Sequence, residues 1–373
     1  MRGRIGLLMA LLLAVAALPA GAARAESPGT GAGGAILIEA ATGRVLLEEN
    51  ADNRLPMAST TKVMTALVAI EHTADLDALI QIPDGAVGVE GSSMYLNRGE
   101  SLSMRDLLYG LMLTSGNDAA VAIAMTVGGS VEGFAELMNQ RARELGCENT
   151  NFVTPNGLHD DQHYTTARDL AAISAEAMKN PTFREVVGTT YHETTTGDRK
   201  RTLKNKNKTL WQYEGGCGIK TGYTKKAGKC LVFSAQREQT VLIGVVLRAG
   251  DMWGNAFSML DRGFDLVETQ TLLKGGQQVA LLPVAGGRKK ELAIFAKDDI
   301  LYPLRKDGSD TFTLAVNLPE GLAAPVEAGK TVGSVTLYVN GEDALTTALV
   351  TGESVPKDRW MDWMEELAHW MQA

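Results

Sequence analysis

The sequence predicts an α+β protein, in which a sheet with an inserted helical subdomain is followed by a small all-β domain and a terminal amphipathic helix. Strand patterns occur near the N-terminus and again after residue 217, and helical patterns lie between them from about 58 to 180. From 271 to 350 the chain has short β-rich runs separated by Gly- and Pro-containing turns, which is typical of a small sandwich.

The first 25 residues have the pattern of a cleavable signal peptide. Arg2 and Arg4 precede the apolar run 7–18, and Ala-Arg-Ala at 23–25 offers small residues for cleavage. A transmembrane anchor is the alternative, although the apolar run is shorter than the ~20 residues that a span requires. We expect cleavage after Ala25 and export from the cytoplasm.

The first domain is predicted to occupy 26–270. Strands at 34–38 and 44–48 are joined by a turn that contains Gly43. The remaining elements are helices at 104–113 behind a Ser103 cap, 118–127, 131–145 and 166–178, strands at 218–221, 229–236 and 241–248, and a helix at 255–267.

Charge and composition exclude several kinds of partner. The chain has 36 Lys and Arg against 44 Asp and Glu, which argues against binding to nucleic acid, and its basic stretch 199–208 is interpreted as a solvated loop or hairpin. With five His, and three Cys at spacings unlike a zinc site, we expect no metal and no cofactor. Cys217 and Cys230 could form a disulfide after export, or all thiols could stay free.

The segment 354–373 is predicted to be an amphipathic helix that lies on a membrane surface. Three of the five tryptophans occur here, and acidic residues lie opposite the apolar face. Docking on the protein itself or on a partner is the alternative. The apolar face would consist of Trp360, Trp363, Met364, Leu367, Trp370 and Met371.

Ser59 and Lys62 form the most informative pair in the chain. They are three residues apart at the start of a helical pattern, so their side chains share a face. A neutral lysine beside a serine hydroxyl can take its proton and make the serine a nucleophile. By itself the pair leaves open a helix-capping serine followed by a solvated lysine.

Two more motifs supply what such a pair would need. Ser115-Gly116-Asn117 lies between two helical patterns, where a hydroxyl and an amide can relay a proton and hold a substrate amide. Lys220-Thr221-Gly222 lies on a predicted strand, where the amine and the hydroxyl can bind a carboxylate and the glycine admits a substrate backbone. S-x-x-K, S-x-N and K-T-G in this order are a catalytic motif set.

The sequence closely resembles the D-alanyl-D-alanine carboxypeptidases among the low-molecular-mass penicillin-binding proteins, which are penicillin-recognising serine peptidases of the S11 type. The resemblance is carried by 55–65, 151–158, 166–170 and 218–224, and it spans nearly the whole chain. It implies a β-lactamase/transpeptidase-like domain with an antiparallel sheet. It also implies that the enzyme removes the terminal D-alanine from peptidoglycan pentapeptide stems at the outer face of the cytoplasmic membrane, and that β-lactam antibiotics inhibit it covalently.

The resemblance also implies roles for single residues around the scissile bond. Ser59 would attack the carbonyl carbon of the D-Ala-D-Ala bond and form an acyl-enzyme, with Lys62 as its base. Burial and the ammonium of Lys220 would keep Lys62 neutral by lowering its pKa. Ser115 and Asn117 would pass protons and hold the peptide.

The remaining implied roles concern the substrate carboxylate and the developing oxyanion. Lys220 and Thr221 would bind the terminal carboxylate, and Arg248 would assist them. The main-chain N–H groups of the nucleophile and of Tyr223, which follows Gly222, would form the oxyanion hole. A β-lactamase or a peptidoglycan endopeptidase on the same fold, and a non-catalytic sensor of β-lactams or peptidoglycan, are the alternative functions.

Overall fold

A computed structural model describes residues 25–197 and 199–358, together with Trp360, Trp363, Trp370 and Met371. Its contacts divide the chain into a first unit that ends at Val267 and a second that begins at Glu268. The predicted signal peptide lies outside the described residues, except Ala25, and so does most of the predicted terminal helix. Both stay predictions.

The first unit combines nine strands and eight helices among its described residues. The strands are β1 Gly34–Glu39, β2 Val45–Glu49, β3 Leu79–Gln81, β4 Ser101–Ser103, β5 Tyr191–Glu193, β6 Thr202–Lys204, β7 Gly216–Thr224, β8 Gly228–Arg237 and β9 Thr240–Ala249. The helices are α1 Lys62–His72, α2 Met104–Leu113, α3 Asn117–Val127, α4 Val131–Glu144, α5 Ala167–Lys179, α6 Pro181–Gly188, α7 Thr209–Gln212 and α8 Met252–Leu266. Two 3₁₀ turns span Ala58–Thr61 and Asp84–Ala86.

The central sheet has five antiparallel strands in the order β2-β1-β9-β8-β7. Side chains alternate between its faces, so in β1 Ala35 and Leu37 pack with α8 while Ile36 and Ile38 pack with the helical subdomain. Because both faces are covered, the three inner strands β1, β9 and β8 are apolar over most of their length. The predicted α+β fold with helices inserted between the first and the later strands is confirmed.

Helix ends follow the capping chemistry of the sequence. Ser103 accepts a hydrogen bond from the Asp106 N–H at the start of α2, and Thr166 accepts one from the Asp169 N–H at the start of α5. The helix α8 begins three residues earlier than predicted, because Asp251 caps it.

The second unit is built from strands, as predicted. They are β10 Val267–Leu273, β11 Gln278–Ala285, β12 Glu291–Ala296, β13 Ile300–Arg305, β14 Phe312–Asn317, β15 Leu322–Ala323, β16 Thr331–Val339 and β17 Glu342–Thr351. Six of them form a sheet in the order β14-β16-β17-β12-β11-β15, and β10 pairs with β13. Both sheets contribute to one apolar core, which includes Leu273, Ile294, Ile300, Leu337 and Leu349.

The three cysteines are free thiols. The register of β7 and β8 places Cys230 opposite Gly222, five residues along the strand from Cys217, so the two sulfurs cannot meet. The basic stretch 199–208 was expected to be solvated, and it does contribute β6 to a two-stranded hairpin. That expectation is wrong for Arg201, which is buried and pairs with Glu100 at 2.7 Å.

Within the described residues, no helix alone has the length and apolar composition of a membrane span. Only α3 and α4 taken together reach that length and composition, and they are bent by 85° at their break.

Candidate active site

Ser59 lies in the 3₁₀ turn Ala58–Thr61, which leads directly into α1. The hydroxyl of Thr61 donates to the Ala58 carbonyl oxygen at 2.8 Å and fixes the turn. Ala58 has a φ of 49°, a left-handed conformation that costs energy for a residue with a side chain. The sequence predicted a helix start here; the structure holds Ser59 one tight turn ahead of the helix.

Lys62, the first residue of α1, is fully buried and reaches three polar groups. Its Nζ lies 3.0 Å from Ser59 Oγ, 2.7 Å from Asn117 Oδ1 and 2.6 Å from the Asn156 carbonyl oxygen. The structure therefore brings the serine and the lysine of the S-x-x-K motif into direct contact.

The surroundings of Lys62 disfavour its charged form. Burial lowers the pKa of Lys62 well below its ordinary value of 10.5, and the charges of Lys220 and Lys206 lower it further, against an opposing effect of Asp118. Burial, followed by the charge of Lys206, also lowers the pKa of Lys220, to about 7. Two buried amines thus lie in one site, and the pKa of each is lowered from its ordinary value.

The S-x-N motif joins the site from the end of the loop between α2 and α3, and its Asn117 is the first residue of α3. Ser115 is buried, has a φ of 65° and lines the same cleft as Ser59. The Asn117 amide accepts from Lys62 through Oδ1 and donates through Nδ2 to the Glu90 carbonyl oxygen at 2.6 Å. Asn117 thus contacts the lysine amine and the Glu90 main chain, and its expected role in holding the peptide stays a prediction.

The K-T-G motif lies on β7, the edge strand of the sheet. Side chains alternate, so Lys220 and Gly222 share one face and Thr221 and Tyr223 share the other. Lys220 pairs with Val232, which belongs to the core on the side of the helical subdomain. Lys220 is therefore directed towards the helices, where it is 1% exposed and donates to the Thr221 carbonyl oxygen at 3.1 Å.

Gly222 permits a very close approach between β7 and the turn that carries the nucleophile. A Cβ atom at this position would lie 3.0 Å from the Met57 carbonyl oxygen and 3.1 Å from the Ser59 nitrogen. A side chain there would push the edge strand away from the turn. Glycine thus keeps the main chain of β7 beside the Ser59 N–H.

The motifs meet at a cleft with a volume of about 400 Å³. Among the described residues its lining is rich in hydroxyls and lysines and has no acidic side chain: Ser59, Ser92, Ser115, Lys206, Lys208, Thr221, Gly222, Tyr223, Met252 and Trp253. A larger depression of about 570 Å³, lined among others by Cys217 and Arg184, lies elsewhere on the first unit and contains none of the three motifs.

Sequence reasoning missed two of the lysines in the cleft. Lys206 and Lys208 follow β6 in the basic stretch that was interpreted as solvated, and Lys206 donates to Ser92 Oγ at 3.2 Å. The alternation of Lys and Asn over 204–208 was an available signal, because alternation is typical of an extended segment whose two faces differ.

Arg248 is not brought into the cleft. It lies at the end of β9 with a φ of 53°, is exposed, and does not line the cleft among the described residues. The structure therefore offers no contact that supports its expected assistance to the carboxylate.

A neutral histidine supports the nucleophile turn from behind, and sequence reasoning did not anticipate it. Burial lowers the pKa of His163 to about 4. Its Nδ1 accepts from the Val153 N–H at 2.9 Å, so Nε2 carries the proton and donates to Thr61 Oγ1 at 2.8 Å.

Comparisons with known proteins agree with this geometry. A family model described as D-alanyl-D-alanine carboxypeptidase matches residues 22–251, and one for the C-terminal domain of penicillin-binding protein 5 matches 268–357. D-alanyl-D-alanine carboxypeptidase DacF of Bacillus subtilis is 34% identical over 87% of this chain and 85% of its own length. D-alanyl-D-alanine carboxypeptidase DacC of Escherichia coli is 32% identical over 88% of this chain and 86% of its own length.

Solved structures show the same relationship. Penicillin-binding protein 5 from Haemophilus influenzae superimposes with a TM-score of 0.71 at 28% identity, covering 90% of this chain and all of that one.

Proposed function

The chain belongs to the D-alanyl-D-alanine carboxypeptidase family, and we propose that Ser59 is the nucleophile with which it releases the terminal D-alanine of peptidoglycan pentapeptide stems. It is a serine-type D-Ala-D-Ala carboxypeptidase. The single observation that carries the assignment of the nucleophile is the 3.0 Å contact between Ser59 Oγ and the buried amine of Lys62.

The hydrogen bonds of Lys62 suit a neutral base. A neutral amine has two protons and one lone pair, and two of its three neighbours, Asn117 Oδ1 and the Asn156 carbonyl, can only accept. Lys62 donates to both, so its lone pair is left for the Ser59 hydroxyl proton. Its lowered pKa supports the same protonation state.

The reaction then proceeds by acyl transfer. Lys62 takes the hydroxyl proton as Ser59 Oγ bonds to the carbonyl carbon of the penultimate residue, and the bond to the terminal D-alanine nitrogen breaks. Ser115, which lines the same cleft as Ser59, would pass a proton to the leaving amine. Water hydrolyses the Ser59 ester and yields the tetrapeptide.

The substrate carboxylate is proposed to bind at β7. The Thr221 hydroxyl would hold it from the cleft, and Lys220 would contribute charge from the other face of β7. Lys206 and Lys208 add positive charge to a cleft that has no acidic side chain among its described lining residues. An anion bound there would stabilise the protonated form of Lys220, whose pKa of about 7 makes it easily recharged. Arg248 keeps no role in this proposal.

The oxyanion hole is proposed to consist of the main-chain N–H groups of Ser59 and Tyr223. The close approach at Gly222 supports this, because it brings the edge strand beside the Ser59 nitrogen. Fixed N–H donors aimed at the developing oxyanion are typically a large component of acyl-transfer catalysis.

Export and surface attachment complete the proposal. The pattern of residues 1–25 supports secretion, and the stem peptides that the enzyme cleaves lie outside the cytoplasm. Attachment through 354–373 is supported by the exposure of Trp360, Trp363, Trp370 and Met371, which ranges from 49% to 79%. In a vesicle flotation assay, the mature chain should float with the vesicles, and a form ending at 353 should stay in the dense fraction. Equal flotation of the two forms would contradict attachment.

One assay separates this function from its alternatives on the same fold. The purified chain should release D-alanine from a pentapeptide stem, whereas a β-lactamase would turn over penicillin rapidly and an endopeptidase would cut crosslinked stems. A sensor would be acylated by penicillin and release no D-alanine. Absence of D-alanine release with a properly folded chain would reject the proposal.

A further inference from the structure

The cleft has an apolar wall that the proposed chemistry does not use. Met252 and Trp253, in the first turn of α8, line it together with Tyr223 of β7. Tyr223 is 66% exposed, and the other two are half-buried. Removing D-alanine as such requires no aromatic surface of this extent, because the side chain released is a single methyl group.

The wall is held rigidly. The carboxylate of Asp251 accepts from the Trp253 and Gly254 N–H groups at 3.2 and 3.1 Å and caps α8. The Trp253 ring lies 6.3 Å from that of Phe257 one turn later. On another side, the ammonium of Lys208 lies 5.8 Å from the Trp253 ring centroid, a cation–π contact across the cleft lining.

The wall lies on the side of β7 to which Thr221, the proposed carboxylate ligand, projects. Thr221 pairs with Leu231, which packs in the core beneath α8, so Thr221 and Tyr223 both project to the α8 side of the sheet. If the hydroxyl of Thr221 holds the terminal carboxylate, the residue that bears this carboxylate lies beside Tyr223 and Trp253. The inference rests on the proposed function to this extent.

We propose that Met252, Trp253 and Tyr223 form a binding surface for the side chain of the released residue, and that the enzyme cleaves stems ending in larger apolar D-amino acids. The chemistry of cleavage is unchanged: the Ser59 ester forms, the D-amino acid leaves with a proton on its nitrogen, and water restores the serine. A D-methionine or D-leucine side chain buries apolar area against this wall that a methyl group leaves exposed.

The test compares synthetic stem peptides that end in D-Ala-D-Ala, D-Ala-D-Met and D-Ala-D-Leu. We expect the full chain to release D-methionine and D-leucine with kcat/KM at least one tenth of that for D-alanine. In Trp253→Ala, the ratio of kcat/KM for D-methionine to that for D-alanine should fall at least tenfold. Trp211→Ala is the matched control, because Trp211 is 45% exposed on α7 and does not line the cleft.

The outcomes are distinguishable from failure of the proposed function. No D-alanine release from any peptide would reject the function itself. Two results would overturn the inference alone. In one, the wild type releases D-alanine, but its kcat/KM for D-methionine and D-leucine is below one tenth of that for D-alanine. In the other, Trp253→Ala leaves the ratio of kcat/KM for D-methionine to that for D-alanine unchanged. If Trp253→Ala does not fold, as judged by labelling with a fluorescent penicillin, Met252→Ala takes its place with the same expected drop in ratio.

Discussion

Lys62 Nζ lies 2.6 Å from the main-chain carbonyl oxygen of Asn156, 94 residues further along the chain. This contact occupies one proton of the amine, and Asn117 occupies a second, so the direction of the remaining lone pair is set by the fold. The geometry around Lys62 therefore depends on a main-chain group that lies outside the S-x-x-K, S-x-N and K-T-G motifs.

Replacing the base should abolish acylation while leaving the fold intact. Lys62→Ala should lose roughly 10²–10⁴-fold or more in the rate of acylation by a labelled penicillin, which is the usual contribution of a general base. The rate of labelling is measured on gels, with circular dichroism as the check on folding. Lys179→Ala is the matched control, because the Lys179 side chain is 68% exposed. Normal labelling of Lys62→Ala would contradict the assignment of Lys62 as the base.

Adding a negative charge beside Lys62 should move the pH dependence of catalysis. In Asn117→Asp the new carboxylate would favour the charged amine, raise the pKa of Lys62 and shift the rising limb of kcat/KM to higher pH. The measurement is a pH profile of D-alanine release from pH 5 to 10. An unshifted profile would show that Asn117 does not control the protonation of Lys62.

Lys220 should make stability depend on pH in a defined direction. Its pKa is about 7 in the folded protein and near 10.5 in the unfolded chain, so between these values the unfolded chain binds more protons. The free energy of unfolding should therefore rise with pH through this window, and the penalty of the buried charge is fully present below pH 7. Urea unfolding of the wild type and of Lys220→Met at pH 7 and 9 isolates this effect.

The wild type should gain stability relative to Lys220→Met between the two pH values, by up to about 1.4 kcal/mol for each pKa unit crossed. If the free energy of unfolding changes from pH 7 to pH 9 by the same amount in both proteins, or if the wild type loses stability relative to Lys220→Met, Lys220 is not neutralised by burial.

The turn at Ser59 should not tolerate a side chain at position 157. Gly157 has a φ of 83°, and a Cβ atom there would lie 1.9 Å from the Ala58 carbonyl oxygen. Gly157→Ala should cost a few kcal/mol of stability and slow acylation, because backbone strain and displacement of the turn act together. Gly188→Ala, where a Cβ meets nothing within 4 Å, should be nearly neutral, and equal effects would refute the argument.

Local patterns were sufficient to predict most of the fold. The helix 104–113 was predicted with its observed ends, because Ser103 and the apolar spacing are both local signals. The strands of the central sheet were placed within a few residues, since their apolar runs are bounded by Gly-containing turns.

What could not be predicted depends on contacts between distant segments. The segment 151–158 carries the resemblance, but no local pattern predicts that the Asn156 carbonyl oxygen contacts Lys62. The contacts at both ends of the Asn117 amide likewise require Glu90 to be in place. Lys206 looked like a solvated lysine because its approach to Ser92 depends on the folding of the 191–204 hairpin. Register likewise decided that Cys217 and Cys230 do not meet.

The central claim is that Ser59 carries the acyl group. Mass spectrometry of the purified chain, incubated with a pentapeptide stem and with penicillin, tests it most directly. We predict loss of one D-alanine from the peptide, inhibition of that loss by penicillin, and a penicilloyl adduct on the peptide that contains Ser59. An adduct on any other residue, or D-alanine release that persists in Ser59→Ala, would contradict the account.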